Sequence, residues 1–140
     1  MAQRTAGGDT RVPAPIRMGT TLPEAKLISI VDDDASVAKA MGSLVRSLGF
    51  EALTFHSAED FLRCPRRQET ACIICDVQMP GMSGLDLYEA LSAQGSRIPI
   101  IFITAFSIDR VRLRTGSMAC VLHKPFQASD LVTCLRDAIQ

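Results

Sequence analysis

Five short apolar runs, each followed by a stretch with helical or helix-opening character, constrain this chain more than any other feature. The runs are "LISIV" at 27–31, "EALTF" at 51–55, "ACIIC" at 71–75, "IPIIFI" at 98–103 and "CVLH" at 120–123. The first is apolar at nearly every position, the pattern of a strand buried on both faces. After it, Val37, Met41, Leu44, Val45 and Leu48 recur at helical spacing, and Gly49 stands where a C-terminal cap belongs. Ser57 with Asp60, and Ser83 with Asp86, have the spacing of capping boxes and open a second and a third helix. A fourth, weaker helix runs through "DRVRLR". In the fifth, "SDLVTCLRDAI", Leu131, Leu135 and Ile139 share a face. Five β-α units between residues 26 and 140 predict an α/β fold, a parallel sheet with helices on both sides. Right-handed crossovers then leave few strand orders.

Residues 1–25 differ in kind, being rich in Gly, Pro, Thr and Arg without sustained periodicity, and are expected to form a flexible tail. The remainder is one domain, and 47% hydrophobic against 21% charged residues supplies a core. Fifteen Lys plus Arg balance fifteen Asp plus Glu, so no net field draws the chain to nucleic acid or to an anionic membrane. The longest apolar run is too short to span a bilayer, and no targeting peptide is evident. The five cysteines, at 64, 72, 75, 120 and 134, are odd in number and scattered. They are expected to be free thiols in a reducing cytoplasm. Cys72 and Cys75 form a C-x-x-C, yet residues three apart in a strand point to opposite faces, which favours core packing over zinc or redox chemistry.

In parallel sheets ligands gather at the carboxyl ends of the strands. Those ends carry Asp32, Asp33 and Asp34 after the first run, Asp76 after the third, Thr104 after the fourth and Lys124 after the fifth. Several carboxylates close together disfavour one another's charge unless a cation sits among them. A hard divalent ion with oxygen ligands, Mg²⁺ rather than Zn²⁺, resolves the repulsion, since the two histidines, His56 and His123, lack ligand spacing. Such a set suits phosphoryl transfer: a carboxylate attacks phosphorus while metal, ammonium and hydroxyl neutralise the equatorial oxygens. The segment "CDVQMPGMSG" at 75–84 fits this reading. Pro80 and Gly81 turn the chain sharply after Asp76, and Ser83 starts the next helix.

Over about residues 26–140 the sequence resembles the receiver domain of two-component response regulators, of the CheY-like, FixJ type. "IVDDD", "CDVQMPGMSG", "IFITA" and "HKPF" occur in family order at strand ends. The resemblance implies the flavodoxin-like (βα)5 fold with strand order 2-1-3-4-5, the order for which CheY is itself the standard example. It implies that Asp76 accepts phosphate from a sensor histidine kinase or phosphotransfer protein, and that Mg²⁺ is held by Asp33, Asp76 and the backbone carbonyl of Gln78, with Asp32 assisting through water. Thr104 and Lys124 would grip the phosphoryl group, and the Lys124–Pro125 bond would be cis. Two departures stand out: the β5 switch position, usually aromatic, is Val121, and the segment 107–118 is short for a fourth helix.

The implied function is a cytoplasmic phosphorylation switch, not an enzyme beyond its own phosphorylation and slow dephosphorylation, acting on a downstream protein and open to a phosphorylation-dependent dimer. A receiver-like docking module that no longer switches is the alternative. A haloacid-dehalogenase-type phosphatase using Asp32 in "DDDAS" is a third, disfavoured because nothing after Lys124 convincingly supplies the late acidic pair that family needs and because it leaves "CDVQMPGMSG" idle. The chain stops after its last helix with no helix-turn-helix, so direct nucleic-acid binding is not expected of it, whether it stands alone or is a piece of a larger regulator.

Overall fold

The computed structural model describes residues 25–116 and 119–139, so the tail expected at 1–25 lies, but for Ala25, outside the described residues. The strands are β1 (Leu27–Val31), β2 (Glu51–Phe55), β3 (Thr70–Asp76), β4 (Ile100–Thr104) and β5 (Cys120–His123). The helices are α1 (Ala35–Ser47), α2 (Ala58–Arg63), α3 (Gly84–Ala93), α4 (Ile108–Thr115) and α5 (Ala128–Ile139). All strand pairings are parallel, as the five β-α units predict, and the order β2-β1-β3-β4-β5 is the one the family resemblance implies.

Two apolar layers flank the sheet. On one face Ala38, Met41 and Val45 of α1 and Leu131 and Leu135 of α5 pack on Ile28, Ile30, Cys72, Ile74, Ile101 and Ile103. On the other, Ala58 and Phe61 of α2 and Leu87 and Leu91 of α3 cover Val31, Ile73 and Cys75. Leu85 and Val111 cover Val77, Phe102 and Val121 beside them. Cys72 and Cys75 thus fall on opposite faces, as period-two alternation requires. The one polar residue inside "LISIV" is also satisfied, because the buried Ser29 hydroxyl lies 2.7 Å from that of Thr70.

Helix ends follow the local chemistry. Ser83 and Asp86 form a reciprocal capping box. At Ser57 only half of one forms: the hydroxyl accepts from the Asp60 amide, while the Asp60 carboxylate takes Arg63 at 2.6 Å. Gly49 follows the α1 cap at φ 95°, the left-handed geometry in which glycine carries no steric penalty. The fourth helix is as weak as its sequence suggests, since Val111 is its one buried residue and Leu113 is 86% exposed. Helix α4 is instead linked to α3 by Arg114, which reaches Glu89 at 2.8 Å and Asp86 at 3.4 Å. Those exposed pairs are screened by solvent and contribute little to stability.

One expectation is overturned. Cys120 and Cys134 are not free thiols but are joined, β5 to α5, across a Cα separation of 6.3 Å. Residue counting sees only that five is odd; the fold brings two cysteines together by laying α5 over the β5 edge. Cys64, Cys72 and Cys75 remain free, as expected.

Candidate functional site

Strand register assembles the site. Val31 of β1 pairs with Cys75 of β3, so the next residues, Asp32 and Asp76, emerge side by side at the carboxyl edge. Thr104 ends β4 opposite His123, which places Lys124 one residue beyond, and the Lys124 amide donates to the Thr104 carbonyl at 2.8 Å. The Lys124–Pro125 peptide is cis, as the resemblance implies.

One carboxylate oxygen from each of Asp32, Asp33 and Asp76 lies within 4.8 Å of the others. Asp32 and Asp76 are buried and Asp33 is exposed. Asp32 Oδ1 accepts from the Asp34 amide at 2.8 Å. Its Oδ2 is buried with no hydrogen-bond partner, the single such side-chain atom among the described residues. Burial is the main cause of a raised Asp32 pKa, opposed by that amide and reinforced by the charge on Asp76. An orphaned carboxylate oxygen in a cluster of acids is the donor set that a hard divalent cation fits.

Asp76 is held on both sides. Its Oδ1 accepts from the Gln78 amide at 3.2 Å, and Lys124 Nζ lies 3.3 Å from its Oδ2. Thr104 is fully buried, and its hydroxyl oxygen accepts from the Phe106 amide at 2.8 Å, leaving its proton free to be donated. The sequence-derived set of Asp32, Asp33, Asp76, Gln78, Thr104 and Lys124 therefore gathers at one rim. Asp34 leaves it: its Oδ1 caps α1, accepting from Ser36 and Val37 amides at 2.9 and 3.2 Å. His56 and His123 are exposed. Met79 and Met82 pack into the α2–α3 layer, as loop packing groups would. Val121 is buried against Phe102, Val111 and Tyr88 rather than offering an aromatic switch.

Two supporting residues escaped the sequence reading. Glu59 of α2 accepts from the Met82 amide at 3.2 Å and flanks Gly81, which turns at φ 75°. A carboxylate thereby ties the loop after Asp76 to a neighbouring helix. Gly84, the first residue of α3, sits so close to Asp76 that a Cβ there would fall 2.5 Å from the Asp76 carbonyl oxygen. In sequence both look like parts of ordinary motifs, an acid in the first turn of a helix and one glycine of a turn.

Comparison with known proteins identifies the family and the fold. The family model for the response regulator receiver domain matches residues 28–136. The chain is 39% identical over 118 residues to the response regulator protein TodT of Pseudomonas putida, covering 83% of this chain and 52% of that protein. It is 36% identical over 108 residues to nodulation protein W of Bradyrhizobium diazoefficiens, covering 76% of this chain and 48% of that one. Among solved structures, response regulator StyR superposes with a TM-score of 0.72 at 41% identity, covering 83% of this chain and 60% of that one. FixJ-N superposes with a TM-score of 0.72 at 25% identity, covering 84% and 95%. The chain thus spans about half the length of the curated relatives it matches. No helix among the described residues is long and apolar enough to cross a membrane.

Proposed function

Because the chain belongs to the response regulator receiver family, we propose that its phosphorylation-dependent signalling runs through Asp76 as the phosphoacceptor, with a sensor histidine kinase or phosphotransfer protein as donor. The observation that carries this reading is the meeting of three carboxylates within 4.8 Å, with the Lys124 ammonium 3.3 Å from Asp76. Mg²⁺ is the ion that fits: Asp33, Asp76 and the backbone carbonyl of Gln78 would hold it, with Asp32 assisting through water. When bound, it neutralises charge on the carboxylates and on the incoming phosphoryl oxygens.

The chain's own residues do the rest. An Asp76 oxygen attacks phosphorus as the donor's phosphorus–nitrogen bond breaks, and that electron pair returns to the donor imidazole. Lys124 stabilises the oxygens of the transferring group, and the buried Thr104 hydroxyl, its lone pair already engaged by Phe106, donates to one of them. Because Thr104 ends β4 and Lys124 follows β5, both pull on the segments that carry α4 and α5. That motion biases the surface near α4 and β5, where a downstream protein or a second copy binds the phosphorylated form. The phosphatase alternative would use Asp34 as its second acid, but that carboxylate is engaged in capping α1.

Intact mass after incubation with acetyl phosphate tests the reading. A gain of one phosphoryl group is expected with Mg²⁺, and neither without it nor in Asp76→Asn. No gain, in a folded protein that binds Mg²⁺, would leave a docking module that does not switch.

A further inference from the structure

We propose that Cys120 and Cys134 form a reversible redox-modification site whose closure confines the segment bearing Lys124. The two Cα atoms are 6.3 Å apart, inside the span a disulfide bridges without backbone movement. One cysteine is on the β5 edge strand and the other on the buried face of α5, both in the layer shared with α1. The closed loop, 14 residues in sequence separation, contains the Lys124–Pro125 turn that aims the ammonium at Asp76. Oxidation therefore ties the two ends of that turn together, and reduction leaves it held by packing and hydrogen bonds alone.

Two of the other thiols cannot compete, since Cys72 and Cys75 are fully buried on opposite faces of the sheet; Cys64, half-buried at the end of α2, lies on a different element from the Cys120–Cys134 pair. Cys120 is half-buried and Cys134 is 8% exposed, which makes Cys120 the entry point. The oxidant is a low-molecular-weight disulfide of the glutathione class. The Cys120 thiolate attacks one of its sulfurs, the small molecule's S–S bond breaks, and one glutathione thiolate leaves. The Cys134 thiolate then attacks the Cys120 sulfur of the mixed disulfide and expels the second. Two protein thiols are oxidised, one glutathione disulfide is reduced to two thiols, and excess glutathione reverses both steps. None of this depends on Asp76 being phosphorylated.

The test equilibrates the full chain in glutathione buffers of increasing oxidation, quenches with acid, and alkylates under denaturing conditions before intact-mass and peptide analysis. The expected result is the joint loss of alkylation at Cys120 and Cys134, with Cys72 and Cys75 alkylated throughout and any glutathione adduct on Cys64 counted separately by its peptide mass. Cys120 and Cys134 peptides become linked, the linkage reverses with excess glutathione, and Asp76→Asn behaves as wild type. In Cys134→Ser, and in Cys120→Ala should the first variant fold poorly, no intramolecular linkage forms. Amide exchange at residues 124–133 is expected to slow on the order of tenfold or more in the oxidised wild type and in neither variant. Full alkylation at every ratio, or linkage through other cysteines, overturns the site. Linkage without slowed exchange overturns the confinement.

Discussion

Replacing Gly84 by alanine sets two well-known effects against each other at the back of the site. A Cβ at this position would stand 2.5 Å from the Asp76 carbonyl oxygen, 3.0 Å from Val77 Cα and 3.2 Å from the Asp76 carbonyl carbon. All three are backbone atoms, so no rotamer relieves the overlap; the first turn of α3 or the end of β3 must retreat by about 1 Å. Overpacking of this sort costs about 1–3 kcal/mol, and alanine's better helix propensity returns at most about 1 kcal/mol. A net loss of about 1–2 kcal/mol is expected in urea unfolding followed by circular dichroism. The functional loss should be larger, because Gly84 also donates to the Val77 carbonyl at 3.0 Å, next to the acid itself. Displacing a reacting group by about 1 Å costs on the order of 100-fold in rate, read here as phosphoryl uptake from acetyl phosphate. Gly42 of α1 is the internal control. A Cβ there would meet Arg46 Nη1 at 3.3 Å, the end of a flexible side chain, and Thr54 Cγ2 at 3.5 Å. Gly42→Ala should therefore stabilise by about 0.5–1 kcal/mol and leave uptake unchanged. Equal effects at the two glycines, or a Gly84→Ala protein with wild-type uptake, would refute the reasoning from close approach.

Three further outcomes follow from the geometry. Glu59→Ala should cost about 1 kcal/mol in urea unfolding and slow phosphoryl uptake, whereas Glu59→Gln, which still offers an acceptor to the Met82 amide, should recover most of both. In EDTA at pH 7, Asp32→Asn should be more stable than wild type. The raised Asp32 pKa means that its ionised form is penalised by folding, so stability is full below the unfolded value near 4 and falls as pH rises through the folded one. The difference should vanish at pH 3 and reverse when Mg²⁺ is added, both readable as shifts in Tm. Iodoacetamide at pH 8 should modify Cys64 in the native protein and spare Cys72 and Cys75 until unfolding. Burial pushes the Cys72 thiol up to about 12 and raises that of Cys75 further, as mass mapping would reveal.

The central strands were legible because burial on both faces turns them into unbroken apolar runs, and the rim followed because a chemical residue stood at the end of four of the five runs. Boundaries were less legible. Strand β3 begins at Thr70, whose hydroxyl pairs with Ser29, a contact 41 residues distant that no local pattern announces. Strand β4 excludes Ile98 and Pro99, since proline has no amide to give the ladder, though its carbonyl still accepts from Ile73 at 3.0 Å. The 3₁₀ turn at Arg67–Glu69 has no periodicity to reveal it. Glu59, Gly84 and the Cys120–Cys134 pair were hidden for one reason. Each acts on a residue contributed by another element, and single-sequence patterns report only along the chain.

The strand order has a consequence in time as well as in space. Asp32 and Asp76 lie on adjacent strands, yet a complete excursion through α1, β2 and α2 separates them in the chain, and Lys124 comes 48 residues later still. Nothing in the acidic rim is local, so it comes into being only after loop closures that slow folding. Its like charges meet just as β1 docks on β3. The rim is thus assembled against its own repulsion, and a cation that joins at that moment is a participant in folding before it is a participant in signalling.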